Sequence, residues 1–128
     1  ALIFSFEPVQ ATFSALQQAV KELAGVSVLN YGLGDMDQRI DLHLDQLGAT
    51  TATAYPDGLP VVGTKSVFVE SVQIRRLDSV VSELGVPYID LLKIDVEGHD
   101  LSVLRGAGDL LNNGFIRAAV GLLFRRYR

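Results

Sequence analysis

Titratable side chains crowd together where an apolar run ends inside the stretch 88–104. Asp95, Glu97 and His99 follow that run, with Gly98 among them. Carboxylates at alternate positions lie on one face of an extended chain, where they can bind a metal, orient a polar substrate or share a proton. An imidazole can transfer a proton near neutral pH. Function is favoured for Asp95, because a carboxylate that closes a buried strand is costly without a partner. A solvated helix start explains Glu97 and His99 at least as well.

The elements that must position this cluster are a buried strand, a tight turn and a helix start. Residues 89–94 are mostly apolar, Gly98 permits the turn, and apolar residues then recur at helical spacing through Leu111. Asp100 falls near the helix start, where we expect only a favourable interaction with the helix dipole. In open parallel sheets ligands bind at the carboxyl ends of strands. The cluster therefore has the position that a site in such a sheet would have.

The beginning of the chain predicts a strand–helix–strand unit. A strand at 2–6 ends at Glu7-Pro8, because proline lacks the donor for a sheet ladder. Thr12 is the predicted N-cap of a helix that runs through Leu23 and is closed by a glycine. A second strand follows at 26–33. Such a crossover makes the two strands parallel.

The middle of the chain is less regular. Apolar and polar residues alternate over 39–47 and over 67–74, which predicts an antiparallel hairpin. The Gly-, Thr- and Pro-rich segment 48–65 between them predicts a long loop. Asp78 is the predicted cap of a short helix. A last strand is predicted at 116–124, so the whole pattern is that of one α/β domain with an inserted hairpin.

Two further features favour nucleoside binding. In doubly wound folds an acid at the end of a strand accepts two hydrogen bonds from the ribose diol, and Glu7 has that position. Gly34 and Asp35 follow the next strand, where a small residue lets a flat ring approach and a carboxylate can accept from an exocyclic amine. A solvated strand end and an ordinary Gly-Asp turn remain the alternatives at these two places.

Composition excludes several classes of protein. The chain has 128 residues, a net charge of −4 and 48% apolar residues, which fits a globular domain and argues against a nucleic-acid-binding face. It has no cysteine for disulfides or thiolate metal sites, and its compartment stays open with a cytoplasmic location as the default expectation. No apolar run near either end is long enough to span a membrane. Two carboxylates and one imidazole are too few to specify a metal, and we expect none.

Three segments together resemble the FkbM-type family of S-adenosylmethionine-dependent methyltransferases. They are LLKIDVEGHDLSVLRGAGDLL (91–111), RRLDSVV (75–81) and FEP (6–8), and they occur in the family's order. The resemblance implies a class I methyltransferase fold, which is a mostly parallel, Rossmann-like sheet. It also implies S-adenosylmethionine as cofactor and methyl transfer to a hydroxyl of a small-molecule or saccharide acceptor.

The resemblance also assigns roles to individual residues. Glu7 would hold the ribose hydroxyls of the cofactor, and Gly34 and Asp35 would lie beside its adenine. Asp95, Glu97 and His99 would line the methyl-transfer site, with Asp95 also near the cofactor. The implied mechanism is in-line attack by an acceptor hydroxyl, with one of these three side chains taking its proton.

Two departures from the family pattern set further expectations. The family has an earlier strand and a glycine-rich turn of the DVGANxG kind, which does not occur ahead of Ala1. We therefore expect an N-terminally truncated domain that alone binds cofactor weakly and is inactive. The family's last strand commonly carries a phenylalanine-glutamate pair, whereas AAVGLLFRRYR has no acid.

Two other functions remain alternatives at this level. A nicotinamide-dependent oxidoreductase also uses an acid after a strand, but YIDLLKIDVEG contains no Tyr-Lys pair at helical spacing. A degenerate methyltransferase domain could instead act as a non-catalytic binding module. Cofactor affinity separates the three possibilities.

Overall fold

The computed structural model describes residues 1–44, 68–96 and 98–121 as a mixed α/β fold. The chain divides into two compact units. The first unit comprises Ala1–Gly32 and Gln38–Ile74, and the second comprises Leu33–Asp37 and Arg75–Arg128. The α/β class predicted from the sequence is confirmed. That the chain is a single methyltransferase domain stays a prediction.

The first unit begins with the predicted strand–helix–strand crossover. Its elements are β1 (Ile3–Phe6), α1 (Gln10–Val20) and β2 (Val26–Leu29). β1 and β2 are parallel, with Ile3 opposite Val26. The predicted parallel pairing is therefore confirmed.

The predicted bounds of α1 were wrong. The N-cap is Val9 rather than Thr12, which lies in the first turn of the helix. Pro8 follows the end of the strand, and the helix begins two residues later at Gln10, whose amide donates to Glu70, 60 residues away. The helix ends at Val20, and none of its side chains is fully buried.

The predicted strand 26–33 is divided in two. β2 ends at Leu29, and the chain becomes extended again only in the short β3 (Gly32–Leu33). The predicted hairpin is present as β4 (Gln38–Leu44) and β5 (Phe68–Arg75), which pair antiparallel, and the sheet has the order β3-β5-β4. The predicted loop 48–65 lies outside the described residues.

The second unit contains the stretch 88–104. Its elements are α2 (Leu77–Glu83), β6 (Leu92–Ile94), α3 (Asp100–Gly106), a 3₁₀ helix (Gly108–Leu111) and β7 (Ala119–Gly121). β6 and β7 are parallel, and a bridge from Ile89 to Ile116 continues their pairing.

Three predictions in the second unit were wrong in detail. Asp78 does not cap α2, because the N-cap is Arg76 and makes no side-chain capping bond. The strand before the cluster is three residues long and only half-buried, since the Lys93 side chain is 73% exposed. α3 stops at Gly106, after which the chain tightens into the 3₁₀ helix.

Each unit has its own apolar core. In the first unit the core packs one face of the hairpin against the start of α1, through Val9, Leu42, Val72 and Ile74. In the second unit it joins α2 and the end of α3 to β6 and to the segment before β7, through Leu77, Val81, Leu92, Ile94, Val103, Ala107 and Ile116. Among the described residues, no helix is both long and apolar enough to cross a membrane.

Candidate active site

Asp95 directly follows β6 and begins the polar turn. Its side chain is exposed, and its Oδ2 atom is 3.9 Å from the Nζ atom of Lys93. Asp90, on the other side of β6, pairs with Arg117 at 2.6 Å and not with Lys93. The Asp95 carboxylate is thus only loosely engaged and can accept a proton or a hydrogen bond from a ligand.

His99 closes the same turn at the N-cap of α3. Its amide donates to the carbonyl oxygen of Val96 at 3.2 Å, and Gly98 supplies the sharp bend with a φ of 97°. The imidazole is half-buried and its Nε2 atom is shielded from solvent. The structure therefore brings Asp95 and His99 onto one short turn, as the sequence predicted.

Asp100 has a larger role than the sequence predicted. Only 5% of its surface is exposed, and it is the one charged side chain buried among the described residues. Its Oδ1 atom accepts a hydrogen bond from the Val96 amide at 3.4 Å, across the turn. A Cβ atom at Gly121, on β7, would be 3.9 Å from its other oxygen. Asp100 therefore ties the turn to its helix and lies close to β7, a proximity that no local sequence pattern indicates.

Glu97 lies outside the described residues, so its part in the cluster stays a prediction. Within the described segments, no three aspartate, glutamate or histidine side chains are grouped closely enough to hold a metal ion.

Gly34 and Asp35 follow β3, as predicted, and belong to the same unit as the turn. Gly34 is buried, and its amide donates to the Arg75 carbonyl oxygen at 3.0 Å. The Asp35 side chain is exposed, whereas its carbonyl oxygen accepts from Arg76 at 2.7 Å. Arg76 was missed in the sequence because its partners are 41 and 39 residues away.

Glu7 stands at the carboxyl end of β1 in the first unit. Its amide continues the parallel ladder to the carbonyl oxygen of Leu29 at 3.0 Å. Its Oε1 atom accepts a hydrogen bond from the Val9 amide at 2.9 Å. Burial raises the pKa of Glu7, and the nearby charge of Glu70 raises it further. The carboxylate is thus oriented, half-buried and incompletely solvated, as expected of a group that binds a ligand.

Two more polar residues hold the turn that carries Glu7. The Oε2 atom of Glu70 accepts from the Gln10 amide at 3.0 Å. The side chain of Asn30, which follows β2, contacts that of Gln10, and its amide group can donate to the carbonyl oxygens of Glu7 at 3.0 Å and Pro8 at 3.1 Å. A polar depression of about 200 Å³ lies beside this turn. Neither residue carried a sequence signal, because each acts across strands.

The described site residues thus form three local groups. Asp95 and His99 share the turn before α3, and Gly34 and Asp35 share the loop held by Arg76. Glu7 belongs to the first unit with Glu70 and Asn30.

Comparison with known proteins identifies the family. The model of the methyltransferase FkbM domain matches residues 1–119. The chain therefore belongs to the FkbM methyltransferase family, as the motifs in the sequence indicated.

Three curated proteins are similar to parts of this chain. The hexuronic acid methyltransferase AglP of Haloferax volcanii is 31% identical over 117 residues, which cover 88% of this chain and 44% of that protein. Methyltransferase 1 of Beauveria bassiana is 30% identical over 122 residues, covering 84% of this chain and 49% of that protein. The AMB antimetabolite synthetase AmbE of Pseudomonas aeruginosa is 54% identical over 37 residues, covering 29% of this chain and 2% of that protein.

The chain spans about half the length of the first two relatives. No solved structure matches it.

Proposed function

We propose that this protein is an S-adenosylmethionine-dependent methyltransferase that methylates a hydroxyl oxygen of a sugar or natural product. Membership of the FkbM methyltransferase family supports a methyl group as the group that is transferred. The name of the Haloferax relative, a hexuronic acid methyltransferase, supports a polyhydroxylated small-molecule acceptor.

The proposal includes a class I, Rossmann-like fold for the complete domain. Two observations support it. β1 and β2 are parallel and are joined through α1, and β6 and β7 are parallel and are joined through α3. Parallel strands with helical crossovers are the building units of such sheets.

The observation that carries the proposal is the environment of Glu7. Its carboxylate lies at the carboxyl end of a parallel strand, is half-buried, and uses Oε1 to bind the Val9 amide. A carboxylate has lone pairs left to accept hydrogen bonds from two vicinal hydroxyls. The residues present therefore fit a ribose, and we assign Glu7 to the ribose of the cofactor.

The loop of Gly34 and Asp35 fits the adenine. Gly34 adds no side chain to this loop and so does not obstruct a flat ring beside Asp35. The Asp35 carboxylate is exposed and can accept from the exocyclic amine. The cofactor, when bound, supplies an electrophilic methyl group on a sulfonium.

The turn before α3 is assigned to the acceptor. Asp95 or His99 takes the proton from the acceptor hydroxyl, and Glu97 is the third predicted candidate. Asp100 keeps this turn in place through the Val96 amide. Most of the rate enhancement would come from holding the hydroxyl in line, because proximity and orientation are worth more than proton transfer to a positioned base.

Calorimetry with S-adenosylhomocysteine on the full-length protein tests the cofactor. Binding is expected, and Glu7→Gln should weaken it about tenfold to a hundredfold, because hydrogen bonds to a charged group contribute about 1.5–3 kcal/mol. Glu22→Gln, an exposed glutamate beyond the end of α1, is the matched control. Binding of NAD instead would support an oxidoreductase, and binding of neither would support a non-catalytic module.

Methyl transfer by variants of the full-length protein tests the turn. At least one of Asp95→Asn and His99→Ala should lower kcat about a hundredfold or more, as expected for loss of a general base. Asp41→Asn, an exposed aspartate on β4, should leave kcat unchanged. The site assignment is wrong if both variants of the turn retain full activity.

A further inference from the structure

We propose that Arg76 is a positioning residue for recognition of the cofactor's nucleobase. Through its guanidinium and its backbone amide it fixes the loop 34–37, so that the carboxylate of Asp35 selects a ligand with an exocyclic amine. The inference rests on the proposed function, since it assumes that Asp35 faces the base.

Arg76 holds the loop at two points. Its Nη1 atom donates to the carbonyl oxygen of Asp35 at 2.7 Å. Its backbone amide donates to the Oδ1 atom of Asp37 at 2.7 Å. The amide of Gly34 adds a third bond, to the carbonyl oxygen of Arg75. The loop is therefore held on both sides of Asp35 by Arg75 and Arg76, which connect β5 to α2.

The guanidinium is itself fixed by Asp78. Its Nε atom donates to Oδ1 at 3.0 Å and its Nη2 atom to Oδ2 at 2.6 Å, which is a two-point pair. The guanidinium is planar, so two hydrogen bonds along one side of it also fix the direction of its remaining N–H donor. Here that donor is bonded to the carbonyl oxygen of Asp35, so Asp78 orients the Arg76 guanidinium toward the loop.

Two glycines, one at the end of α3 and one at the start of the 3₁₀ helix, leave space for this arrangement. A Cβ atom at Gly106 would overlap the carbonyl group of Gly34, 2.9 Å from its carbon, and would lie 3.6 Å from the Cα atom of Arg76. A Cβ atom at Gly108 would lie 2.9 Å from Oδ2 of Asp78. The loop and the ion pair thus pack on bare backbone.

The two acids of the loop differ in their engagement. Asp37 is occupied by the Arg76 amide. Within the part of the chain that the structure describes, the Asp35 carboxylate accepts no hydrogen bond, although the backbone beside it is held. A fixed backbone with an available acceptor is what selection of an amine requires. A carboxylate accepts from an amine but repels a carbonyl oxygen at the same place.

The test compares S-adenosylhomocysteine with S-inosylhomocysteine, in which a carbonyl oxygen replaces the exocyclic amine. The dissociation constants for the full-length protein give a selectivity ratio. The native protein should prefer the adenine ligand at least about tenfold, because a site built to accept a hydrogen bond from the exocyclic amine rejects an analogue that places a carbonyl oxygen at that position. Arg76→Lys, which keeps the charge but loses the fork, should bring the ratio to near one.

Arg117→Lys is the matched control. Arg117 also pairs with an aspartate, Asp90, at 2.6 Å, and its side chain is 60% exposed. The selectivity ratio of the Arg117→Lys variant should equal that of the native protein. Asp35→Asn should lower the ratio as Arg76→Lys does, and the double variant should lower it no further, because both changes remove one interaction.

The outcomes separate the two proposals. If the native protein binds neither ligand, the proposed function is overturned and this inference with it. If it selects adenine and Arg76→Lys retains that selectivity, only the inference is overturned. Should Arg76→Lys fail to fold, Asp78→Asn, which loosens the guanidinium, must produce the same fall in the ratio, and an unchanged ratio contradicts the inference.

Discussion

The carbonyl group of Gly34 lies against the α-carbon of Gly106, with no room for a side chain between them. Gly106→Ala should therefore lower the free energy of unfolding by about 3 kcal/mol, the upper part of the range for forcing a methyl group into packed structure. Both groups are backbone and cannot turn aside. Urea unfolding of the purified protein measures the loss.

Gly114→Ala is the control for that substitution. Gly114 has a φ of 78° and a Cβ atom there would meet no atom within 4 Å, so only backbone strain of about 1 kcal/mol is added. A loss at position 106 no greater than that at position 114 would contradict the close approach.

The ionised carboxylate of Glu7, which the proposed site needs for ligand binding, should lower the stability of the ligand-free protein. Its pKa is raised above the ordinary 4.5, so the folded state binds the proton more tightly than the unfolded state. The stability contributed by this group is present below pH 4.5 and is lost as the pH rises through the folded pKa. Without ligand, Glu7→Gln should gain stability relative to the native protein over that rise. Unfolding curves at several pH values check this, and a difference that does not change with pH would count against it.

Asp78 should behave in the opposite sense. The hydrogen bonds from Arg76 lower its pKa below the ordinary 3.8, so the folded state binds the proton less tightly. Its stabilisation is present above pH 3.8 and is lost as the pH falls through the folded pKa. Asp78→Asn should cost about 1 kcal/mol at neutral pH, as for a strong partly exposed pair. The gap between variant and native protein should close on acidification, and a gap that persists would show that the pair is not its cause.

Asp100 should matter for methyl transfer without touching substrate. Asp100→Ala removes the acceptor of the Val96 amide and releases the turn that carries Asp95 and His99. A misplacement of about 1 Å costs up to a hundredfold in rate, so kcat should fall about tenfold to a hundredfold. Asp100→Asn keeps an oxygen acceptor, so its kcat should fall less than that of Asp100→Ala. Asp109→Ala, an exposed aspartate in the 3₁₀ helix, should be neutral, and equal kcat values for all three variants would refute the positioning role.

Local signals predicted the order of elements and part of the site. Alternation of apolar residues indicated the hairpin of β4 and β5, and proline, glycine and helical spacing indicated the two crossovers. The positions of Asp95 and Gly98 also followed from local sequence, because a strand end and a glycine turn are neighbours in the chain.

Features that depend on distant residues could not be predicted in this way. The start of α1 depends on Glu70, 60 residues from the amide it accepts from. The role of Arg76 depends on Asp35 and Asp37, which look like ordinary turn residues in the sequence. Gly106 resembles any glycine near a helix end until the loop that packs on it is known. Propensity describes a segment, whereas these interactions belong to pairs of segments.

The low burial of α1 has a consequence for hydrogen exchange. None of its residues is fully buried, whereas the shorter α2 buries Leu77, Val80 and Val81. Helices that bury little apolar surface open at lower free energy than the global unfolding. Backbone amides of α1 should therefore exchange with deuterium earlier than those of α2, despite the greater length of α1. Because Glu7 accepts from the amide of Val9, the N-cap of α1, and Glu70 from that of Gln10, its first residue, ligand binding at Glu7 should slow exchange along that helix first.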